Sequence, residues 1–262
     1  MFGAVIGDIV GSIYERHNIK STFFDLFSQR SRFTDDSVMT IAVANWLMCR
    51  NHSHASLIAI LQEYGRKYPN AGYGFKFKHW LYSNNTIPYN SWGNGSAMRV
   101  SPVGMYCSNI NDVLALSKIS AEVTHNHPEG IKGAQAIASA VFLAKEGKSK
   151  IEIKDFIETR FGYNLNRTCA EIRKEYKFDV SCQGSVPEAI ICFLEGTDFE
   201  TTLRLAVSLG GDSDTIAAMA CSIASQTYSI PRSITAECIK RLPQDLKKVM
   251  EAFECAFKVN PK

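Results

Sequence analysis

Two short acidic segments hold the residue types best suited to chemistry in this chain. Segment 34–36 (TDD) comes directly before an apolar run, and segment 210–215 (GGDSDT) opens a second one. Carboxylate and hydroxyl oxygens are hard ligands, which suit Mg²⁺, Mn²⁺ or Ca²⁺ and not zinc or copper. Both segments stand where a helix is expected to begin. We therefore predict a hydrolase site for two metal ions, built where the two helix starts meet.

Helix capping is the competing interpretation of each segment. Ser, Thr and Asp oxygens accept hydrogen bonds from the free N–H groups of a first helical turn, and acids suit the positive end of the helix dipole. Capping alone would account for segment 34–36. Segment 210–215 carries more acid than a cap needs, and two acidic helix starts in one chain would either face each other around cations or repel.

Composition limits the classes of function. The chain has 262 residues, 29 of them basic and 26 acidic, and this balance does not favour nucleic acid or a membrane as the main partner. Eight scattered cysteines without a CxxC pair indicate reduced thiols, not a disulfide framework or a zinc site. The first residues lack the basic region of a signal peptide, and no apolar run approaches the roughly 20 residues that span a bilayer. We predict a cytoplasmic protein.

Apolar spacing predicts an all-α protein that forms a single domain over residues 1–262. Strand-like alternation is nearly absent, and no break in composition indicates a second domain. Helices are predicted over 2–15, 37–50, 53–67, 96–103, 110–123, 128–146, 151–160, 168–178, 185–195, 199–209, 213–226, 233–241 and 244–258.

Glycines and loops are expected to shape the site. Gly3, Gly7 and Gly11 recur every fourth residue, so they would lie on one helix face and let another backbone approach closely. Glu15 would end this helix, where an acid is usually solvated. Residues 16–33 and 69–95 are polar, aromatic and aperiodic, which predicts two loops. A long ordered loop such as the second is usually functional.

A glycine turn and a histidine pair are weaker signals. Segment 92–96 (WGNGS) precedes a helix and would offer backbone N–H groups to a phosphate and a flat ring to a base. It matches neither the dinucleotide-binding pattern nor the P-loop. His125 and His127 precede another helix, where such residues often act as caps, and their spacing is not that of a zinc helix. No nucleophile elbow and no Ser-His-Asp set stands out.

Five segments taken together resemble the ADP-ribosylglycohydrolase family, which includes dinitrogenase reductase-activating glycohydrolase and the mammalian ADP-ribosylhydrolases. The segments are GAVIGDIVGSIYE, FTDDSVMTIAVA, SWGNGSAMRVSPVG, THNHPEGIKGAQAIASAVFLA and SLGGDSDTIAAMACSIA, in the order of the family. The resemblance implies a compact all-α orthogonal multi-helix bundle, in agreement with the helical periodicity. The chain is shorter than the mammalian members, and segments 16–33 and 70–90 have no clear counterpart in them.

The resemblance also implies roles for individual residues. Glu15, Asp36 and Asp212 fall on catalytic positions, with Glu15 as a gate or an acid/base near the metals. His125 falls on a substrate-side histidine. The metal positions, for two Mg²⁺ or Mn²⁺ ions, are Thr34, Asp35, Asp36, Asp212, Asp214 and Thr215. The loop that holds the diphosphate and the distal ribose is matched by Ser91, Trp92, Gly93, Asn94 and Gly95. Tyr89 and Trp92 are candidates for the aromatic residue that stacks on adenine.

The implied activity is metal-dependent hydrolysis of the glycosidic bond between ADP-ribose and an acceptor, which reverses mono-ADP-ribosylation. Arginine is the expected acceptor, and serine-linked substrates or small molecules such as O-acetyl-ADP-ribose are the alternative. A non-catalytic ADP-ribose-binding protein is the competing class. It would have eroded metal positions, whereas all six are intact here. The expected partner is an ADP-ribosylated protein or an ADP-ribose-containing small molecule, without nucleic acid or a membrane, and the chain is expected to be a monomer.

Overall fold

The structure is a computed structural model that describes residues 1–49 and 51–257. The helices of these residues are α1 (Phe2–Gly11), α2 (Asp35–Met48), α3 (His54–Lys67), α4 (Phe75–Tyr82), α5 (Gly95–Met98), α6 (Ser101–Tyr106), α7 (Ile110–Glu122), α8 (Pro128–Lys145), α9 (Lys150–Phe161), α10 (Cys169–Glu175), α11 (Cys182–Glu195), α12 (Phe199–Ser208), α13 (Ser213–Thr227), α14 (Arg232–Lys240) and α15 (Gln244–Phe257). Extended pairing in the described ranges is limited to one isolated bridge, between Gly93 and Ser181. The all-α prediction is confirmed.

Four of the predicted elements need correction. Helix α1 ends at Gly11, so Glu15 lies in the turn that follows it. Helix α4 lies inside the loop predicted over 69–95, because the aromatic content of this short segment hid a helical spacing of buried residues. The helix predicted over 96–103 is two short helices, α5 and α6. Helix α10 stops at Glu175, and the backbone at Tyr176 is extended. The predicted helix ends at 50 and 258 lie outside the described residues.

Helices α1 and α13 pack against each other in the centre of the molecule, and nearly every residue of both is buried. The glycine face of α1 makes this contact, as predicted. A Cβ atom built on Gly7 would lie 2.3 Å from the carbonyl oxygen of Ala217, so only glycine fits there. The facing pairs are Gly3 with Cys221, Gly7 with Ala217 and Gly11 with Asp214. The two helices therefore run antiparallel, and the end of α1 meets the acidic start of α13.

Around this pair, α13 also packs against α8, α11 and α12, while α2 packs against α1, α3 and α15. Buried apolar side chains of these helices form one continuous cluster. The eight cysteines, all within the described ranges, are free thiols, six of them buried and Cys49 and Cys255 exposed. None of the described helices is long and apolar enough to cross a membrane.

Candidate active site

Side-chain N-caps are common among the described helices but absent from the two helices that carry the acidic segments. Side-chain oxygens cap the first turns of α3, α7, α9, α10, α11 and α12. Thr34 and Asp212 occupy the N-cap positions of α2 and α13, but neither side chain accepts a capping hydrogen bond. Because N-cap oxygens normally satisfy these N–H groups, capping does not explain the two acidic segments. His127, in contrast, is a cap, since its Nδ1 accepts from the N–H of Glu129.

Asp8 of α1 holds the start of α2 in place. Its buried carboxylate accepts hydrogen bonds from the N–H and the hydroxyl of Thr34, at 2.8 and 2.5 Å. It also accepts from the N–H of Ser37, at 3.1 Å, and from the Ser37 hydroxyl. Burial raises the pKa of Asp8 to about 6, and these four hydrogen bonds oppose the rise. Sequence reasoning missed Asp8, although a single acid inside an apolar helix must find partners when it is buried.

Three carboxylates converge where α1, α2 and α13 meet. One carboxylate oxygen from each of Asp8, Asp36 and Asp214 lies within 4.8 Å of the other two. The Thr215 hydroxyl donates to Oδ2 of Asp36 at 3.2 Å and so joins the starts of α2 and α13. Oδ1 of Asp36 is buried without a hydrogen-bond partner in the described structure. An unpaired buried carboxylate oxygen is costly, so this donor set fits a divalent cation.

The acids of this cluster are held in a state that favours protonation or cation binding. Burial raises the pKa of Asp36 and of Asp214 well above the ordinary value, and the neighbouring carboxylates add to the rise. Burial and the charges of Asp8 and Asp212 raise the pKa of Asp35 to about 8. Like charges in a low-dielectric site cannot all remain ionised without compensation. A bound cation would supply that compensation.

The segment that leads into α13 is fixed from two sides. Gly210 and Gly211 adopt φ angles of 73° and 71°, which a residue with a Cβ rarely adopts. The Asn18 side chain accepts from the N–H of Gly211 at 2.8 Å and donates to its carbonyl at 2.9 Å. From the opposite side, Nδ2 of Asn94 donates to Oδ2 of Asp212 at 2.7 Å. Burial raises the pKa of Asp212, and the bond from Asn94 opposes that rise.

A cavity of about 450 Å³ opens above the acidic cluster. All but one of the residues predicted for the site line it. These are Glu15, Thr34, Asp35, Asp36, Ser91, Gly93, Asn94, Gly95, His125, Asp212, Asp214 and Thr215. The exception is Trp92, which is 49% exposed and lies outside the cavity wall. Its ring packs edge-on against His127, at 5.7 Å between centroids, with the Lys76 ammonium group 5.9 Å from its centre.

The glycine turn forms one wall of the cavity, but some of its N–H groups are already engaged. The N–H of Gly93 donates to Oγ of Ser91 at 3.1 Å, and the N–H of Asn94 donates to the carbonyl of Val180 at 2.8 Å. Helix α5 behind the turn has only four residues, so its dipole is small. A helix this short supplies little dipole to attract a phosphate, so the helix start itself does not support the prediction of a phosphate site here.

Glu15 stands at the side of the cavity, between the acids and two arginines. Its side chain is half-buried, and burial followed by the charge of Asp212 raises its pKa. Arg16 and Arg32, which also line the cavity, oppose this rise. A half-buried carboxyl group with a raised pKa beside the acidic cluster is suited to proton transfer.

Several cavity residues were not found from the sequence. Phe75 and Phe178 line the cavity although they are 88% and 55% exposed, and they offer aromatic faces at its mouth. Phe178 was placed in a helix that in fact ends before it. Arg99 lines the cavity while only 1% exposed. The sequence feature that could have indicated Arg99 is a single cation in an apolar segment, just as Asp8 is a single acid in the apolar helix α1.

Comparisons with known proteins identify the family of this chain. The mouse and human proteins named ADP-ribosylhydrolase ARH3 are 28% and 29% identical to the chain. The matched regions cover 96% and 90% of the chain, and 86% and 87% of those two proteins. A solved structure titled ADP-ribosylglycohydrolase-related protein complex superposes with a TM-score of 0.74 at 23% identity, covering 96% of this chain and 94% of that one. The ADP-ribosylglycohydrolase family model matches residues 1–258. The chain belongs to the ADP-ribosylglycohydrolase family.

Proposed function

We propose that the protein hydrolyses the glycosidic bond between C1″ of ADP-ribose and an acceptor, with divalent cations held by the acidic cluster. One observation carries this proposal. Three buried carboxylates converge within 4.8 Å at the cavity, and one oxygen of Asp36 has no partner among the described residues. Such a set is costly to keep unless it binds a cation.

Two Mg²⁺ or Mn²⁺ ions are the proposed cofactors. The side chains that would hold them are Thr34, Asp35, Asp36, Asp212, Asp214 and Thr215. Asp8, whose carboxylate already accepts four hydrogen bonds, would hold Thr34 in place behind them. The Thr34 and Thr215 hydroxyls donate their protons to carboxylates, which leaves their lone pairs free for a cation. A bound divalent cation supplies Lewis-acid chemistry, since it orients substrate oxygens and makes water more acidic.

The side chains themselves stabilise the charge that develops. Departure of the acceptor leaves positive charge at C1″, as in other glycoside hydrolyses. Asp212, fixed by Asn94, and the neighbouring acids place negative charge at the cavity floor, which favours this state. We assign proton transfer to Glu15, because its pKa is raised and it is half-buried at the cavity wall.

The rest of the cavity suits the remainder of ADP-ribose. Its volume, about 450 Å³, lies in the range of small-molecule sites. We place the diphosphate and the distal ribose along 91–95 and His125. The rings of Tyr89, Phe75 and Phe178 line the cavity and are our candidates for stacking on adenine. Trp92 is a weaker candidate because it is not among the residues that line the cavity.

For the acceptor, we propose a neutral linkage in place of the arginine expected from the sequence. Arg16 and Arg32 stand beside Glu15 at the cavity wall, and a guanidinium acceptor would approach two positive charges there. The names of the two relatives identify no acceptor. We therefore propose an O-linked substrate, such as a serine-linked ADP-ribose or an O-acyl ester of ADP-ribose.

Release of free ADP-ribose tests this proposal. Serine-linked and arginine-linked ADP-ribosyl proteins would be compared side by side with Mg²⁺, Mn²⁺ or EDTA. We expect release from the serine-linked protein and none in EDTA. Faster release from the arginine-linked protein would overturn the acceptor assignment. Binding of ADP-ribose without release from any substrate would favour the non-catalytic alternative.

Two broader proposals accompany the activity. We keep the prediction of a single domain, supported by one continuous apolar cluster, and the prediction of a monomer. We also keep the prediction of a cytoplasmic protein, since its eight thiols are free and disulfides are typical of oxidising compartments. Gel filtration and localisation of a tagged chain would test them.

A further inference from the structure

His125 lies in the cavity wall, with its ring against the glycine turn. The side chain is 6% exposed, and its Nε2 points at the glycine turn. A Cβ atom built on Gly95 would lie 3.0 Å from Nε2, and one built on Gly93 would lie 3.6 Å from it. The other ring nitrogen, Nδ1, is 2.7 Å from the hydroxyl oxygen of Thr124. The proton on the ring therefore faces either Thr124 or the glycine turn.

Arg99 is a buried cation next to this pair. Its Nη2 donates to the Ser120 carbonyl at 2.5 Å and to Oγ1 of Thr124 at 2.9 Å. Its Nε has no partner in the described structure, and its contacts there include no carboxylate. A buried guanidinium without a counter-ion is unusual. A buried guanidinium at the cavity wall therefore points to a role for Arg99 in the site.

Proton counting favours one arrangement. Arginine has no acceptor atom, so Arg99 must donate to Thr124. The Thr124 hydroxyl then has one proton to give and one lone pair left. The remaining Thr124 proton is available to Nδ1 of His125. In the reverse arrangement the Nδ1–H group of His125 would point towards the Arg99 charge, which electrostatics disfavours.

We propose that Arg99 and Thr124 are positioning residues that fix His125 as the neutral Nε2–H tautomer. The imidazole then presents a hydrogen-bond donor to the glycine turn and the adjoining cavity. Burial and the charge of Arg99 lower the pKa of His125 well below its ordinary value, which agrees with a neutral ring. This donor suits an acceptor-only ligand atom, such as a diphosphate oxygen. The identity of that ligand rests on the proposed function, whereas the tautomer does not.

Nitrogen NMR of the whole protein tests the tautomer directly. The chain has six histidines, and with ¹⁵N-labelled histidine the His125 signals are assigned by their loss in His125→Gln. We expect an unprotonated Nδ1 and a protonated Nε2 in the unsubstituted protein. Thr124→Val, which removes the hydroxyl but keeps the shape, should convert this to a mixture of tautomers. Thr124→Ser should restore the single form, and Tyr89→Phe should leave it unchanged.

A protonated Nδ1 in the unsubstituted protein would overturn the proposal, whether or not a variant folds. If Thr124→Val folds and keeps a pure Nε2–H tautomer, Thr124 is not a positioning residue. Binding of ADP-ribose gives a second readout, with an expected loss of about tenfold in Thr124→Val, the effect of one misdirected hydrogen bond to a charged ligand, and recovery in Thr124→Ser. If no form binds ADP-ribose, the proposed function fails while the tautomer assignment stands or falls on the spectrum.

Discussion

Gly7 lies so close to Ala217 that a Cβ atom built on it would be 2.3 Å from the Ala217 carbonyl oxygen. The residue after Gly7 is Asp8, and Asp214 lies one helical turn before Ala217. The backbone contact between α1 and α13 therefore sets the distance between two carboxylates of the acidic cluster. The geometry of the site therefore depends directly on the packing in the centre of the molecule.

Gly7→Ala is expected to weaken the packing of α1 against α13 and to disturb the acidic cluster. Alanine is favoured over glycine within a helix by up to about 1 kcal/mol, but the added methyl group meets backbone that cannot move aside. Overpacking of this kind costs about 1–3 kcal/mol or more, so we expect a net loss of stability in urea unfolding. We also expect weaker binding of Mn²⁺, because α1 and α13 are forced apart.

Gly74→Ala is the matched control for that substitution. No atom lies within 4 Å of a Cβ built at Gly74, and its φ of −58° suits alanine. Its stability should fall by only about 1 kcal/mol or less, since Gly74 is the N-cap of α4, a position where glycine is preferred to alanine. Equal stabilities for Gly7→Ala and Gly74→Ala would contradict the proposed constraint.

Asp36→Asn should separate the stability of the site from its function. Burial and three neighbouring acids raise the pKa of Asp36, so removal of its charge should relieve repulsion in the metal-free protein. In EDTA we expect a Tm at or above that of the original protein. With Mg²⁺ or Mn²⁺ the original protein should gain in Tm while Asp36→Asn gains little, because a ligand that binds only the folded state stabilises it. Activity should fall by about 100-fold or more, at least the loss typical when a group that supports a metal site is removed.

Asp25→Asn makes the same chemical change at an exposed position. It should retain activity and the cation-dependent gain in Tm. If Asp36→Asn showed the same gain as Asp25→Asn, the acidic cluster would not be the cation site.

The sequence predicted the features that depend on local pattern. The glycine face of α1 and the acids at 34–36 and 210–215 were found because their spacing is visible along the chain. Asp8 and Arg99 were missed because each is bonded to partners that are distant in sequence, and Phe178 because it was placed in a helix that ends before it. Asp8 is bonded to Thr34 and Ser37, and Arg99 is bonded to Thr124. A lone charge in an apolar segment signals such a partner but does not say which one it is.

Stability without metal should fall as the pH rises. The pKa of Asp8 is raised from 3.8 to about 6 and that of Asp35 from 3.8 to about 8. Since the folded state then binds more protons than the unfolded state, these groups stabilise fully below pH 4 and lose that effect as the pH rises through 6 and 8. In EDTA we expect the free energy of unfolding to fall between pH 5 and 8, by up to about 1.4 kcal/mol per pH unit for each group.

Urea unfolding at several pH values, with and without Mn²⁺, checks this. With Mn²⁺ the fall should shrink or reverse, because cations compete with protons for the same carboxylates. A curve in EDTA that rises over the same pH range would show that these carboxyls are not held protonated in the folded protein.

Phe178→Ala should weaken substrate binding and leave the chemical step intact. The ring lines the cavity mouth although it is 55% exposed, which suits a face for a base to stack on. Stacking of a base on an aromatic side chain is worth about 1–3 kcal/mol, so KM for release of ADP-ribose should rise about tenfold. Because this contact is made equally in the ground state and the transition state, kcat should change by less than about twofold.

Phe23→Ala is the control for Phe178→Ala, since Phe23 is 94% exposed and does not line the cavity. Its KM and kcat should match those of the original protein. A fall in kcat at unchanged KM in Phe178→Ala would place Phe178 at the reacting bond instead of the base. Equal KM values in both variants would exclude Phe178 as the residue that stacks on the base. The KM values of Phe75→Ala, Tyr89→Phe and Tyr89→Ala would then identify the stacking residue.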